Sequence, residues 1–292
     1  MLSAKMKNTF SQKLIYYFSK WFIPDKALLQ LRFRKRLKRK LNLKKPEKYN
    51  DKLQWLKLNW YNPLATKCAD KYEVREYIEE KIGSKYLNDL FAVYENVDEI
   101  KLEELPNSFV LKSTHGTSEV IICRDKNKFD LEKQKKIMKG WLKKNIYWTT
   151  REWVYRDIKP RIICEKLLND STGDLLDYKI FCFDGEPKLI QVDFDRFNNH
   201  KRNIYDLEWN LLENIEINYE SDPGTIIEKP KNLDKMLELS RILSEDFPHV
   251  RVDFYNMDGK IIFGELTFFP GSGLLKFNSE EFELKMGQWL KL

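Results

Sequence analysis

The sequence predicts an α+β protein built on antiparallel sheets. Strand-like runs occur in pairs around short turns, as in DYKIFCFDGEPKLIQVD, where an Asp-Gly turn joins two apolar runs. Helical patterns lie between these pairs, and the sequence contains no internal repeat. The chain has 292 residues, of which 42% are apolar, so it can bury a core beneath two or three layers. We predict no membrane-spanning helix, because no uninterrupted run of 18 apolar residues is present.

The first 63 residues are predicted to form a basic, amphipathic helical segment. Residues 1–48 hold fifteen Lys or Arg against two acids, and the rest of the chain carries a net charge of −6. Two interpretations have equal weight: residues 1–48 bind an anionic membrane surface, or they form a helical layer on the main body with solvated lysines. Nucleic acid is not expected as a partner, because a recognisable reading motif is missing. The start has no signal-peptide cleavage site, which predicts a cytoplasmic protein, with peripheral binding at the inner membrane face under the first interpretation.

Two lobes are predicted after this segment, at residues 64–150 and 151–292. In the first lobe, residues 64–83 are predicted to form one helix ended by Gly83, followed by two strands around a turn at His115-Gly116. Residues 130–157 are helical and rich in aromatic side chains. Strands dominate the second lobe, with a helix at 231–246 and a final hairpin at 247–269.

The final hairpin carries two acidic residues that are predicted to converge. In VRVDFY, Asp253 alternates with apolar residues, so it faces a cleft if those residues form the core. A three-residue loop at 258–260 would place Asp253 directly across from Glu265, with Thr267 on the same face. Two close carboxylates need a cation or a shared proton, and oxygen-only ligands favour Mg²⁺. The alternative is that both are solvent-facing charges on a half-exposed sheet.

Two further strand ends carry charged residues. Lys112 ends an apolar strand that runs into the His115-Gly116 turn, a pattern that suits binding of phosphate. The strand in PRIICEKLLND ends at Glu165 and could present backbone groups to a planar base. Each signal is weak by itself, because a turn histidine or a charged strand tip is common in proteins.

Six blocks of the sequence, in this order, resemble the TupA-like branch of the ATP-grasp family. The blocks are KPEKYNDKLQWLKL, NPLATKCADKYEVREYI, FVLKSTHG, REWVYRDIKPRIICEKLL, DYKIFCFDGEPKLIQVD and GELTFFPGSGLLKF. The resemblance implies an ATP-grasp fold, in which two lobes with antiparallel sheets grip ATP, here preceded by the basic helical segment. It also implies ATP and Mg²⁺ as cofactors.

The resemblance assigns roles to individual residues by their position. The nucleotide phosphates would be reached by Lys71 and Lys112, and the turn that begins at His115 and Gly116 would cover them. The adenine pocket would be lined by Glu165, Lys166 and Leu168. Further catalytic cations would be Lys179 and Arg202. Mg²⁺ would be held by Asp253, Glu265 and Thr267. The substrate carboxylate or its acyl-phosphate would face the N–H groups of Gly271, Ser272 and Gly273.

Two positions depart from the family pattern. The metal motif commonly ends in Glu-x-Asn, whereas this chain has Glu265-Leu266-Thr267, as the branch itself does. The phosphate loop has Ser118-Glu119 where the branch favours a glycine. A bulkier backbone and a new negative charge would weaken the grip on phosphate, unless the Glu119 side chain points outward.

The resemblance implies a Mg-ATP-dependent carboxylate–amine ligase that works through an acyl-phosphate. Its substrates would be a uronic-acid-type sugar and an amino acid or amine, in surface polysaccharide synthesis. The alternative, motivated by the altered loop, is a protein that binds nucleotide without turnover and serves as a scaffold in a polysaccharide assembly system.

Overall fold

Two antiparallel sheets organise the part of the chain that the computed structural model describes, namely residues 22–169, 175–195 and 199–292. The strands are β1 (Leu90–Tyr94), β2 (Phe109–Ser113), β3 (Val120–Cys123), β4 (Ile162–Glu165), β5 (Asp177–Phe183), β6 (Glu186–Phe194), β7 (Lys201–Tyr205), β8 (His249–Met257) and β9 (Lys260–Thr267). The helices are α1 (Asp25–Leu37), α2 (Tyr49–Asn59), α3 (Pro63–Ala69), α4 (Val74–Lys81), α5 (Leu131–Leu142), α6 (Tyr147–Thr150), α7 (Leu233–Ser244) and α8 (Glu280–Trp289). The predicted α+β class is therefore confirmed.

Each sheet forms the centre of one lobe. The small sheet has the order β1-β4-β2-β3, and the large sheet has the order β7-β6-β5-β8-β9. Strand β4 lies between β1 and β2 although it follows the predicted lobe boundary at residue 150. The predicted boundary at 150 thus lies between β3 and β4, which are strands of one sheet.

The helix predicted over residues 64–83 is interrupted in its middle. Helix α3 ends at Ala69, and α4 starts at Val74. Between them the Asp70 side chain accepts hydrogen bonds from the backbone N–H groups of Tyr72 and Glu73, at 2.8 and 3.3 Å. This local bond offers the backbone an alternative to the helix. The prediction of one continuous helix is wrong, and the break places Lys71 in a turn.

The β8–β9 hairpin has the predicted pairing of Asp253 with Glu265, but its loop differs from the predicted one. Its loop has two residues, Asp258 and Gly259, both with positive φ, so Met257 pairs with Lys260. The predicted three-residue loop is wrong. A β-bulge then shifts the register by one residue and brings Asp253 back across from Glu265.

Gly264 is the extra residue of this bulge. A Cβ atom there would lie 3.0 Å from the carbonyl oxygen of Asp253, which leaves little room for a side chain. The bulge therefore depends on glycine, and with it the convergence of the two carboxylates.

The described part of the basic segment packs on the large lobe. Helix α1 buries Leu28, Leu29 and Phe33. The Arg39 guanidinium bridges Asp51 of α2 and Glu283 of α8, at 2.6 and 2.9 Å. Residues 25–59 therefore pack as a helical layer on the main body, while the apolar residues before position 22 lie outside the described residues. Among the described helices, none is long and apolar enough to cross a membrane.

Candidate active site

A cleft of about 350 Å³ lies between the two lobes. Strands of both sheets and the turn between α3 and α4 contribute side chains to it. Eight residues that the sequence selected line this cleft: Lys71, Lys112, Glu165, Leu168, Lys179, Arg202, Asp253 and Glu265. They come from seven separate segments of the chain, so the fold brings together groups that are far apart in the sequence.

The small-lobe wall carries a carboxylate held by two cations. The Lys112 ammonium lies 2.7 Å from Glu165 Oε2, and the Arg75 guanidinium lies 3.4 Å from Glu165 Oε1. The Lys166 side chain points elsewhere, to Asp89 at 3.0 Å, and does not line the cleft. The backbone N–H of Lys166 donates to the carbonyl of Asp89 at 3.0 Å, and its carbonyl accepts from the Asn88 amide at 2.9 Å.

Lys71 links the α3–α4 turn to the loop after β2. Its ammonium donates a hydrogen bond to the carbonyl oxygen of Gly116 at 2.7 Å. Burial lowers the pKa of Lys71, and the charge of Glu265 across the cleft opposes this change. The two predicted phosphate contacts, Lys71 and Gly116, are thus adjacent.

The His115 ring does not line the cleft. Its Nε2 atom lies 3.1 Å from the carbonyl oxygen of Trp141 in α5, and its Nδ1 atom is buried without a partner among the described residues. Burial lowers the pKa of His115, so the imidazole is neutral near pH 7. Because the ring packs against α5, the predicted role of His115 in covering the phosphates would fall to the backbone of the turn.

The phosphate loop is closed by Glu119, which does not point outward. The Ser113 hydroxyl donates to Glu119 Oε2 at 2.5 Å. The same oxygen would lie 2.2 Å from a Cβ atom on Gly116. Gly116 thus leaves the space into which the Glu119 carboxylate folds, and a bound phosphate would have to share the loop with that negative charge.

On the large-lobe wall, Lys179 lies among three carboxylates. It forms an ion pair with Asp177, and its ammonium lies 3.6 Å from Asp193 and 3.5 Å from Asp253. Lys179 also pairs with Asp253 across strands β5 and β8. A buried ammonium with these neighbours is charge-compensated in the free protein.

Arg202 is likewise paired with an acid. Its Nε and Nη2 atoms bind the two Asp193 oxygens at 2.6 and 3.0 Å, and Nη1 donates to the carbonyl of Ile217 at 2.7 Å. Burial alone would raise the pKa of Asp193, but the bond with His200 and the charge of Arg202 lower it. A ligand phosphate or carboxylate would have to compete with Asp193 for this cation.

A residue that the sequence did not select, Arg251, lies between the predicted metal ligands. Its guanidinium binds both oxygens of Asp253 at 2.6 Å, and it lies 3.4 Å from Glu265 and 3.2 Å from Thr267 Oγ1. Burial raises the pKa of Asp253 to about 6, against the lowering effect of Arg251. Arg251 precedes Asp253 by two residues in one strand, so strand period alone could have revealed it.

The two predicted carboxylate ligands of the metal share the space between them with the Arg251 guanidinium. Asp253 is buried, whereas 44% of the Glu265 side chain is exposed. The charges of Lys71 and Arg251 outweigh desolvation and lower the pKa of Glu265. Both carboxylates supply oxygen ligands, as Mg²⁺ prefers. The described residues contain no group of three or more His, Cys, Asp or Glu that could hold a metal.

Thr267 supports the acidic pair rather than extending it. Its hydroxyl donates to Glu265 Oε1 at 3.1 Å and accepts from Arg251 at 3.2 Å. These bonds fix the orientation of the Glu265 carboxylate. A direct bond from Thr267 to a metal would require that this hydroxyl turn away from Glu265.

The turn Pro270–Gly273 follows the end of β9 and differs from the predicted anion cradle. The Ser272 N–H donates to the carbonyl of Phe269 at 2.7 Å, so it is used within the turn. The carbonyl oxygens of Ser272 and Gly273 are bound by side chains of α2. In this conformation the Ser272 N–H therefore does not face the cleft as the predicted cradle requires, because the turn closes on itself through this bond.

A comparison with family models identifies the family of the chain. The model of the TupA-like ATP-grasp family matches residues 51–291. The chain belongs to the TupA-like ATP-grasp family, which confirms both the resemblance seen in the sequence blocks and the predicted ATP-grasp fold.

Solved structures of several ligases are similar to the chain in fold. L-amino acid ligase from Bacillus licheniformis is 14% identical, with 73% of this chain and 46% of that chain covered and a TM-score of 0.46. D-alanine–D-alanine ligase from Bacillus anthracis, in complex with ATP, is 15% identical, with 69% and 53% covered and a TM-score of 0.38. D-alanyl-alanine synthetase A from Vibrio cholerae is 10% identical, with 77% and 64% covered and a TM-score of 0.44.

The chain spans about half the length of the first two of these structures. A comparison with curated protein sequences finds no match.

Proposed function

We propose that the protein is a Mg-ATP-dependent carboxylate–amine ligase. The observation that supports this most directly is one cleft that gathers Lys71, Lys112, Asp253 and Glu265 in a member of the ATP-grasp family. In the proposed reaction a substrate carboxylate attacks the γ-phosphorus of ATP, and ADP leaves. An amine then attacks the acyl-phosphate, and inorganic phosphate and a proton are released as the amide forms.

The small lobe would bind the nucleotide. Lys71 and Lys112 are the lysines of the cleft wall beside the phosphate loop, and each can donate to phosphate oxygens. Lys112 would exchange its bond with Glu165 for a phosphate. Leu168 and the backbone of Glu165 and Lys166 would then lie beside the adenine, at the end of β4.

The large lobe would bind the metal and the reacting carboxylate. Asp253 and Glu265 would hold Mg²⁺, which when bound would neutralise phosphate charge. Arg251 lies at the centre of this group and can donate to the oxygen on which negative charge develops. Lys179 and Arg202 would bind a phosphate or the substrate carboxylate in exchange for their aspartate partners.

We propose a uronic-acid-type sugar as the carboxylate substrate and an amino acid or amine as the nucleophile, in surface polysaccharide synthesis of the teichuronopeptide or capsule type. The support for this is the resemblance of six sequence blocks to the TupA-like branch.

The test is ADP release from ATP and Mg²⁺ in the presence of hexuronic acids and amino acids. We expect release to require both substrates and to fall by at least about 100-fold in Lys112→Met and in Asp253→Asn, because each variant removes a charge from the cleft. Lys101→Met is the matched control, since Lys101 pairs with Glu104 on the surface of the same lobe.

Absence of ADP, together with retained binding of labelled ATP, would favour the non-catalytic scaffold instead. The Glu119 carboxylate in the phosphate loop would then be the first feature to change, by Glu119→Gln.

We further propose that α1 binds the anionic inner face of the membrane. Leu31 is 62% exposed, and basic residues follow it at helical spacing on the outer side of α1. These exposed residues are Arg34 and Lys35 in α1 and Lys38 directly after its end. A basic strip beside an exposed apolar side chain is the pattern that anionic lipid attracts.

Vesicle sedimentation tests this surface. We expect the protein to sediment with phosphatidylcholine vesicles that contain phosphatidylglycerol. Addition of roughly 0.5 M NaCl should release it, because salt screens the attraction between the charges. Each cation contributes about 1 kcal/mol, so Gln at Arg34, Lys35 and Lys38 should weaken binding by roughly 100-fold. Gln at Lys133, Lys136 and Lys139 of α5 is the control. Equal weakening by both triple variants would contradict a specific α1 surface.

A further inference from the structure

Helix α2 lays a row of polar side chains along the segment that follows the proposed metal strand. Asn50, Gln54 and Lys57 are spaced by four and three residues, so they lie on one face of the helix. Their exposed fractions are 0%, 1% and 6%. Polar side chains are seldom buried this deeply unless they are bound, and all three are bound to residues 272–275.

The two amides hold both ends of the segment. Asn50 donates to the carbonyl of Leu275 and accepts from its N–H, each at 2.9 Å. Gln54 donates to the carbonyls of Ser272 and Gly273 at 2.9 and 2.7 Å. The segment therefore has little freedom to slide along α2.

Lys57 makes the third and strongest attachment. Its ammonium donates to the Ser272 carbonyl and hydroxyl, both at 2.9 Å, and to the Thr150 carbonyl at 3.0 Å. All three N–H donors are thus used, and bonds from a charged donor are stronger than neutral ones. Glu152 and Arg32 are the charged groups whose fields reach Lys57.

The conformation held in this way is unusual. Gly271, Ser272 and Gly273 have φ values of 56°, 58° and 60°, all in the left-handed region. Ser272 avoids this region in an unconstrained chain because of its Cβ atom. The bonds from α2 offset that preference, and they also orient the Ser272 hydroxyl.

We propose that Lys57, with Gln54 and Asn50, forms a brace that positions the acceptor side of the cleft, with Lys57 as the principal positioning residue. This inference rests on the proposed ligase function. The braced turn starts three residues after Thr267, so its position fixes the end of β9 and the Glu265 carboxylate. The brace acts through this turn. Among the described residues, the contacts of Lys57 do not include the phosphate loop.

Lys57→Met is the decisive variant, and Lys52→Met is its matched control. Lys52 also extends from α2 to a backbone carbonyl, that of Leu290 at 2.6 Å, away from the turn. With the uronic acid and amino acid that give the fastest ADP release, we expect Lys57→Met to reduce kcat/KM for the acid by about 10- to 100-fold, because small misplacements are costly. The KM for ATP should stay within about twofold, and Lys52→Met should change neither value.

A second measurement does not depend on turnover. Hydrogen exchange of peptides from residues 268–276 should be faster in Lys57→Met than in the wild type and in Lys52→Met, while peptides from β5 stay unchanged. Gln54→Leu should shift exchange in the same direction if Lys57→Met does not fold. Unchanged exchange in residues 268–276, or an equal loss of ATP and acid binding, would overturn the brace. Absence of ADP release in the wild type with faster exchange in Lys57→Met would overturn the ligase proposal alone.

Discussion

Replacement of Arg251 by methionine is expected to abolish the proposed turnover and to lower the free energy of unfolding by about 3–5 kcal/mol at pH 8. The guanidinium binds both oxygens of Asp253 at 2.6 Å and reaches Glu265 and Thr267. Its removal leaves Asp253 buried, with Lys179 at 3.5 Å as the remaining cation within ion-pair distance among the described residues. ADP release should fall by about 1000-fold, because charge compensation at the reacting centre is lost.

The loss of stability should depend on pH in a defined direction. Burial already raises the pKa of Asp253 to about 6, and removal of Arg251 raises it further. The folded variant then keeps a proton that the unfolded chain, with an aspartate pKa of about 3.9, releases. Because the folded state binds more protons, the free energy of unfolding decreases as the pH rises above about 4. Urea denaturation should therefore show a small difference from the wild type at pH 5 and a large one at pH 8.

Two further variants separate charge from geometry at this position. Arg251→Lys keeps one charge but cannot bind both Asp253 oxygens, so it should recover part of the stability and little of the turnover. The double variant Arg251→Met/Asp253→Asn removes both charges and should be more stable at pH 8 than Arg251→Met alone. If Arg251→Met were as stable as the wild type at pH 8, the pairing of Arg251 with Asp253 would be contradicted.

The predicted contact between Asp253 and Glu265 is present in the structure because two errors in the predicted hairpin cancel. Strand period placed Asp253 and Glu265 on cleft-facing positions, and the structure pairs them. The predicted loop was one residue too long, and the unpredicted bulge at Gly264 corrected the register by the same amount. A bulge depends on close approach between strands, which a single sequence does not display. Strand period could also have identified Arg251, because it shares a face with Asp253.

Other features of the site depend on contacts between distant segments. From the sequence alone, the polar row of α2 is expected to face solvent, because polar residues usually lie on the protein surface. Its partners lie 215 to 225 residues further along the chain, so only the fold shows that the row is buried. The inward Glu119 carboxylate similarly depends on the Ser113 hydroxyl and on the empty space at Gly116. The local sequence pattern predicts where helices and strands form, but it does not predict which distant residues their side chains contact.

The attachment of the N-terminal helices to the large lobe predicts a second large effect, in Gly287→Ala. Gly287 lies in α8, where a Cβ atom would be 2.0 Å from the carbonyl oxygen of Glu47 and 3.0 Å from the Tyr49 nitrogen. Both are backbone atoms at the start of α2 and cannot rotate away. We expect the free energy of unfolding to fall by about 3 kcal/mol, as for an overpacked core.

Gly140→Ala is the matched control, because Gly140 lies inside α5 and a Cβ atom there meets nothing within 4 Å. Alanine in a helix interior should stabilise that variant by about 0.5–1 kcal/mol. Urea denaturation of both variants gives the comparison, and equal stability would contradict the contact between α8 and residue 47. Because the clash occurs where α2 begins, Gly287→Ala should also accelerate hydrogen exchange in residues 268–276. The basic segment would then support the acceptor side of the cleft through α2, in addition to its proposed contact with the membrane through α1.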